Sequence, residues 1–127
     1  MPAKKSVLPV VPHTCAVQAA LQTTLDVLNG RWKVSVMGAL RLGHKRFLEL
    51  QREVRGIGPK MLTHTLQELE QQGLVLRTVR ATRPVTVTYT ITDYGRSLEG
   101  VLSEMISWGQ QHQARLASPG QAASPSA

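Results

Sequence analysis

The chain has 127 residues, a length that points to one domain with a modest core, so a second copy would add to its stability. Fifteen Lys and Arg against 8 Asp and Glu leave a formal charge of +7, which points to a polyanionic partner: nucleic acid first, an anionic membrane surface second. The single cysteine, Cys15, excludes an intrachain disulfide framework, and no apolar run reaches the ~18 residues that a membrane-spanning helix needs.

Residues 1–13 open with three prolines and no helical period, and are expected to form a flexible arm. They carry no signal-peptide core, so the chain is expected in the cytoplasm. Val17, Leu21, Leu25 and Leu28 then recur at helical spacing, with Gly30 as a stop. Trp32, Val36, Ala39 and Leu40 mark a second helix that ends near Gly43. His44 to Arg46 leave room for a very short strand or a turn. Phe47, Leu50 and Val54 predict a short third helix, stopped by Gly56.

The run GIGPKMLTHTLQELEQQG predicts a fourth helix. Pro59 suits its first turn, where a missing N–H costs nothing. Leu62, Leu66 and Leu69 form its buried stripe, and Gly73 follows as a C-terminal stop. The period then shortens. Leu74 to Val79 and Val85 to Ile91 predict two strands, with Arg80 to Pro84 as the hairpin tip. Thr92 is the expected N-cap of one last helix from about Asp93 to Arg115, whose apolar surface is too wide to cover a single small core. Residues 117–127 are small, Pro-bearing and uncharged, and are expected to be disordered, which leaves a domain at 14–116.

Helix, helix, turn, helix and hairpin make a mainly α fold with a small β-hairpin wing: a winged helix-turn-helix. With its leucines inward, the fourth helix leaves Lys60, Thr63, His64, Gln67 and Gln71 outside. All of these can donate hydrogen bonds and none is acidic. A helix of that width fits the major groove, where Gln pairs with adenine edges and Lys with guanine. Glu68 and Glu70 are expected on its flanks. From Arg41 to Lys60 six basic residues, Arg46 among them, face two acids. Arg77, Arg80 and Arg83 add a basic wing suited to phosphate or the minor groove. Double-stranded DNA is therefore the expected partner. A non-specific nucleic-acid binder and a protein-interaction winged helix remain as alternatives.

From Cys15 to His112 the chain resembles the HxlR family of bacterial regulators, which is related in fold to the MarR family. The matching segments are LNGRWK (28–33), RFLELQR (46–52), GIGPKMLTHTLQELEQQGLVLR (56–77), PVTVTYTITDYGRSL (84–98) and WGQQH (108–112). The resemblance implies a homodimer built from the N- and C-terminal helices, with Val17, Leu21, Leu25, Leu102, Met105 and Trp108 as its candidate interface. It also implies a pseudo-palindromic operator and, more commonly, repression. The chain departs from the family in three places. Gly58 stands where Ser is usual, Gln67 lies where Arg is usual nearby, and Ala16 rather than Pro follows the cysteine.

Cys15 falls at the expected start of a helix, where the dipole favours a thiolate. The resemblance allows a sensor of oxidants, quinones or aldehydes, and packing as a small apolar residue at the dimer interface is the other reading. With one cysteine per chain, sensing would pass through an intersubunit or a mixed disulfide. The four histidines, His13, His44, His64 and His112, lack metal-ligand spacing, so no metal and no cofactor is expected. No phosphate loop, paired carboxylates or nucleophile–base signature suggests a catalytic residue or an enzyme. A small-molecule or oxidant effector is left open.

Overall fold

The computed structural model describes residues 12–118; the expected disorder of 119–127 and most of the expected N-terminal arm lie outside the described residues. Six helices and three strands follow in the order α1 (Cys15–Val27), α2 (Arg31–Leu40), β1 (Lys45–Arg46), α3 (Phe47–Glu53), α4 (Pro59–Gln71), β2 (Val75–Arg80), β3 (Thr86–Ile91), α5 (Asp93–Arg96) and α6 (Glu99–Leu116). No helix among the described residues is long and apolar enough to cross a membrane.

The hairpin does not stand alone. Strand β1 pairs antiparallel with β3, giving a three-stranded sheet in the order β1-β3-β2. The core gathers Val36, Met37 and Leu40 from α2 and Leu50 from α3. Leu62, Leu66 and Leu69 from α4 join them, with Val75 and Ile91 from the sheet. Burial of three leucines on one side of α4 fixes its roll, because turning any of them to water would cost about 1.5–3 kcal/mol. Gly73 ends the α4 segment at φ +79, a backbone conformation that a side chain would strain.

Two expectations need correction. The last helix is broken. Ser97 and Leu98 donate their N–H groups three residues back, to the carbonyls of Tyr94 and Gly95, so the chain tightens between α5 and α6 instead of continuing as one α-helix. Thr92 does cap the first piece, its hydroxyl accepting from the Gly95 N–H at 2.9 Å. Second, Leu102 belongs to the protomer's own core, only 2% exposed, and is not free to face a second copy. It follows Leu98 by one helical turn on the inward face of α6, whereas Val101, Met105 and Trp108 lie on the outward face.

Gly95 sits against the start of β2. A Cβ there would collide with the Leu74 carbonyl oxygen and lie 2.7 Å from Ile91 Cγ2. The backbone of α5 can approach the sheet this closely only because the position is glycine.

Candidate nucleic-acid interface

Gly58, which has no side chain to cap with, stands at the N-cap of α4, and Pro59 occupies the first turn. The exposed residues Lys60, Thr63, His64, Gln67 and Gln71 share the face opposite the buried leucines. Their donors are not equally free. The Thr63 hydroxyl donates to the Pro59 carbonyl at 2.9 Å, leaving its lone pairs and methyl for a partner. His64 Nε2 lies 3.4 Å from Glu68 Oε2. Glu68 was expected on the flank; it reaches the edge of the outward face and orients the imidazole one turn away.

Glu68 has a second partner. Lys33 of α2 is only 8% exposed, and its Nζ lies 3.6 Å from Glu68 Oε1. The ion pair joins the two helices beneath the outward face. Sequence reasoning assigned Lys33 no role, although a signal was present. Lys33 falls on the same stripe as Val36, Met37 and Leu40, and a lysine on a buried stripe requires a partner.

The sheet sorts the wing cations onto two faces. Cross-strand pairing places Lys45, Tyr89 and Arg77 in one row, and Arg46, Thr88 and Thr78 in the next, pointing the opposite way. Arg77 borders a cleft between α4 and the sheet that is lined by Thr63, Gln67, Glu70 and Tyr89. Arg80, opposite Thr86, shares the face of Arg46, and Arg83 is exposed in the turn between β2 and β3. Arg77 thus lies next to the α4 face, while Arg46 and Arg80 project from the other side of the sheet.

The basic stretch before α4 is less available than its count suggests. Lys45 binds Glu53 at 2.9 Å and Arg41 binds Glu99 at 2.9 Å. The hydrogen bond and charge of Glu99 raise the Arg41 pKa further above its ordinary value. The Glu49 carboxylate accepts from the Arg46 backbone N–H at 2.7 Å, which lowers its pKa and holds the start of α3. Among the described residues, Lys60, Arg77, Arg80 and Arg83 have no acidic partner within 4.0 Å. Arg46, Arg52 and Arg55 around α3 likewise have none, so unpaired charge lies on α4 and the wing and also beside α3.

The candidate dimer residues lie elsewhere. Helix α1 has no buried residue; Leu21 is 56% exposed, Leu25 is exposed and Val17 is partly covered. On α6, Met105 and Trp108 are exposed, and the Trp108 ring stacks on His112 with centroids 4.9 Å apart. Cys15 is exposed and begins α1 directly after Thr14, whose hydroxyl accepts from the Val17 N–H at 3.2 Å. Trp32 packs against the core beside the Gly56 turn, with the Arg31 guanidinium 4.5 Å above its ring.

Comparison with known proteins agrees with this architecture. A family model described as HxlR-like helix-turn-helix matches residues 27–117. The HTH-type transcriptional regulator YtcD of Bacillus subtilis is 42% identical over 93 residues, covering 73% of this chain and 74% of its own. The redox regulator HypR in its reduced form superposes with a TM-score of 0.73 at 38% identity, covering 78% of this chain and 98% of its own. Its oxidised form superposes with a TM-score of 0.70 at 39% identity, covering 72% and 95%. With its outward α4 face, its basic wing and these relatives, the chain belongs to the HxlR-like helix-turn-helix family of DNA-binding transcriptional regulators.

Proposed function

We propose that the protein works as a homodimer that binds a pseudo-palindromic operator in the cytoplasm and represses the adjacent promoter. One observation carries this reading: α4 buries Leu62, Leu66 and Leu69 and turns Lys60, Thr63, His64, Gln67 and Gln71 outward. The outward groups enter the major groove, with the two glutamines and His64 on base edges and Lys60 on guanine or phosphate. Arg77 follows from the adjoining cleft, and Arg80 and Arg83 reach phosphate or the minor groove. Arg46, at the start of α3, meets the backbone on the other side.

The exposed apolar residues of α1 and α6 join two copies, Val17, Leu21 and Leu25 meeting Met105 and Trp108. The paired α4 helices then address half-sites about one DNA turn (~34 Å) apart, or a multiple of it. In the same reading Cys15 makes binding thiol-responsive. Its place at a helix N-terminus supports this, as does similarity to a regulator solved in reduced and oxidised forms. Oxidation would give an intersubunit disulfide or a mixed disulfide with a small thiol.

Selection from a random double-stranded library at physiological salt tests the assignment. A two-fold-related motif with a discrete footprint is expected. Retention of no sequence over any other would overturn operator recognition. A Cys15→Ser variant whose operator affinity under diamide matches that of the oxidised wild type would remove the thiol response alone.

A further inference from the structure

A lysine sits on the stripe by which α2 joins the core. Lys33 shares that stripe with Val36, Met37 and Leu40, and its side chain is 10% exposed. An ammonium taken out of water needs a compensating charge. Among the described residues one acid lies within 4.0 Å of its Nζ, Glu68 of α4, with Oε1 at 3.6 Å. The second oxygen of the same carboxylate, Oε2, lies 3.4 Å from His64 Nε2. Three side chains thus run from the interior of α2, past the edge of α4, to the outward face that carries Lys60, Gln67 and Gln71.

Stability does not account for this chain of contacts. A buried ion pair contributes little beyond what an apolar pair of the same shape would, because desolvation offsets the attraction. Val36, Met37 and Leu40 already tie α2 into the core. The pair adds direction instead. Glu68 and His64 are both exposed enough to sample several rotamers if left alone. Lys33 pins one carboxylate oxygen from below, and the other oxygen then faces a single ring nitrogen and selects the orientation of the imidazole. Lys33 also balances the charge of an acid that stands at the edge of a surface meant for a polyanion.

We propose that Lys33, which lies beneath the surface that meets DNA, is a positioning residue for base recognition: through Glu68 it holds His64 in the orientation that reads one base pair of the operator. A side chain discriminates between bases only when its polar atoms are fixed against the groove edge, and a ring free to turn accepts several of them. The inference rests on the operator-binding reading above and adds to it a residue that sets specificity without touching the duplex.

Affinities for the selected operator and for each of its single-base variants test it. The base pair that His64 reads is the one at which His64→Ala loses its preference. At a contacted pair the wrong base lowers affinity about five- to hundredfold. Lys33→Met keeps the length of the side chain and removes its charge. It should reduce discrimination at that same pair about threefold or more and leave the ratios at other positions unchanged. Combined with His64→Ala, it should remove no further discrimination. Overall affinity falls on every sequence alike with the lost charge, so the ratio between bases is the deciding quantity. The denaturant midpoint should hold, because an apolar side chain replaces a buried ion. Should Lys33→Met fail to fold, Glu68→Gln breaks the same link from a part-exposed position, and the same loss of discrimination is expected.

A merely structural lysine would weaken all sequences by one factor, and that result would overturn the proposal. So would wild-type discrimination in either variant, or a loss that adds to that of His64→Ala. An unaltered preference at every position in His64→Ala would overturn it too, while leaving operator binding intact. A wild-type protein that selects no operator would instead sink the operator reading, and this inference with it.

Discussion

The two ends of this molecule use apolar residues in opposite ways. On the α4 side, Leu62, Leu66 and Leu69 are completely or almost completely buried, and apart from Met61 and Pro59 the helix presents polar groups to solvent. On the α1 and α6 side, Leu21, Leu25, Met105 and Trp108 stay exposed, and α1 has no fully buried residue. The first surface is finished within one protomer and is available to a polyanion. The second is finished only when something apolar covers it, since exposed apolar area of this kind marks an interaction site. The difference separates residues that govern folding from residues that govern assembly.

The sharpest way to break the comparison is in the core. Leu66→Ala should destabilise the protomer by about 2–5 kcal/mol in denaturant unfolding, because it removes both apolar contacts and the support that sets the roll of α4. Full stability of the variant would show that α4 is not anchored as described. A smaller loss is expected from Gly95→Ala, about 1–3 kcal/mol, because its methyl meets the Leu74 carbonyl at the α5–β2 contact. A wild-type melting temperature would contradict that crowding.

On the other side, Met105→Glu should raise the dimer dissociation constant about thirtyfold, near 2 kcal/mol, in sedimentation experiments. The protomer's fold should hardly change, since Met105 lies outside its core. Unaltered dimerisation would move the interface off α6. The smallest effect belongs to Lys60→Ala. If Lys60 neutralises one phosphate, the slope of log affinity against log salt should flatten by about one, with similar losses on all sequences. An unchanged slope would remove Lys60 from the phosphate contacts, and a loss confined to one base position would make it a base reader.

Much of the α4 surface was legible in the sequence because a single helix with one apolar stripe has only one way to bury it. Lys60, His64, Gln67 and Gln71 emerge on the outer face as the 3.6-residue period requires. The state of their polar atoms was not legible. Thr63 spends its proton on Pro59, and His64 is held by Glu68, which Lys33 of another helix also holds. Those partnerships depend on how α2 crosses α4, and spacing along one helix carries no information about that crossing.

The same division accounts for α6. Apolar residues cover more than one of its faces, so periodicity showed that the helix has too much apolar surface for one core and could not say which residues the core takes. Packing decided it: Leu102 goes inward, Met105 and Trp108 stay out. The broken helix at Ser97 and the third strand at Lys45–Arg46 were likewise settled by contacts distant in sequence, against Gly95, Leu74 and β3.

Local pattern alone therefore determined the order of elements, the one-sided leucine stripe of α4 and the excess of positive charge, since each depends on neighbours within a few residues. Tertiary structure decided which cations are paired, which sheet face each arginine occupies and which acid the buried Lys33 meets. Those properties arise between elements, and only the three-dimensional packing brings their partners within a few ångströms.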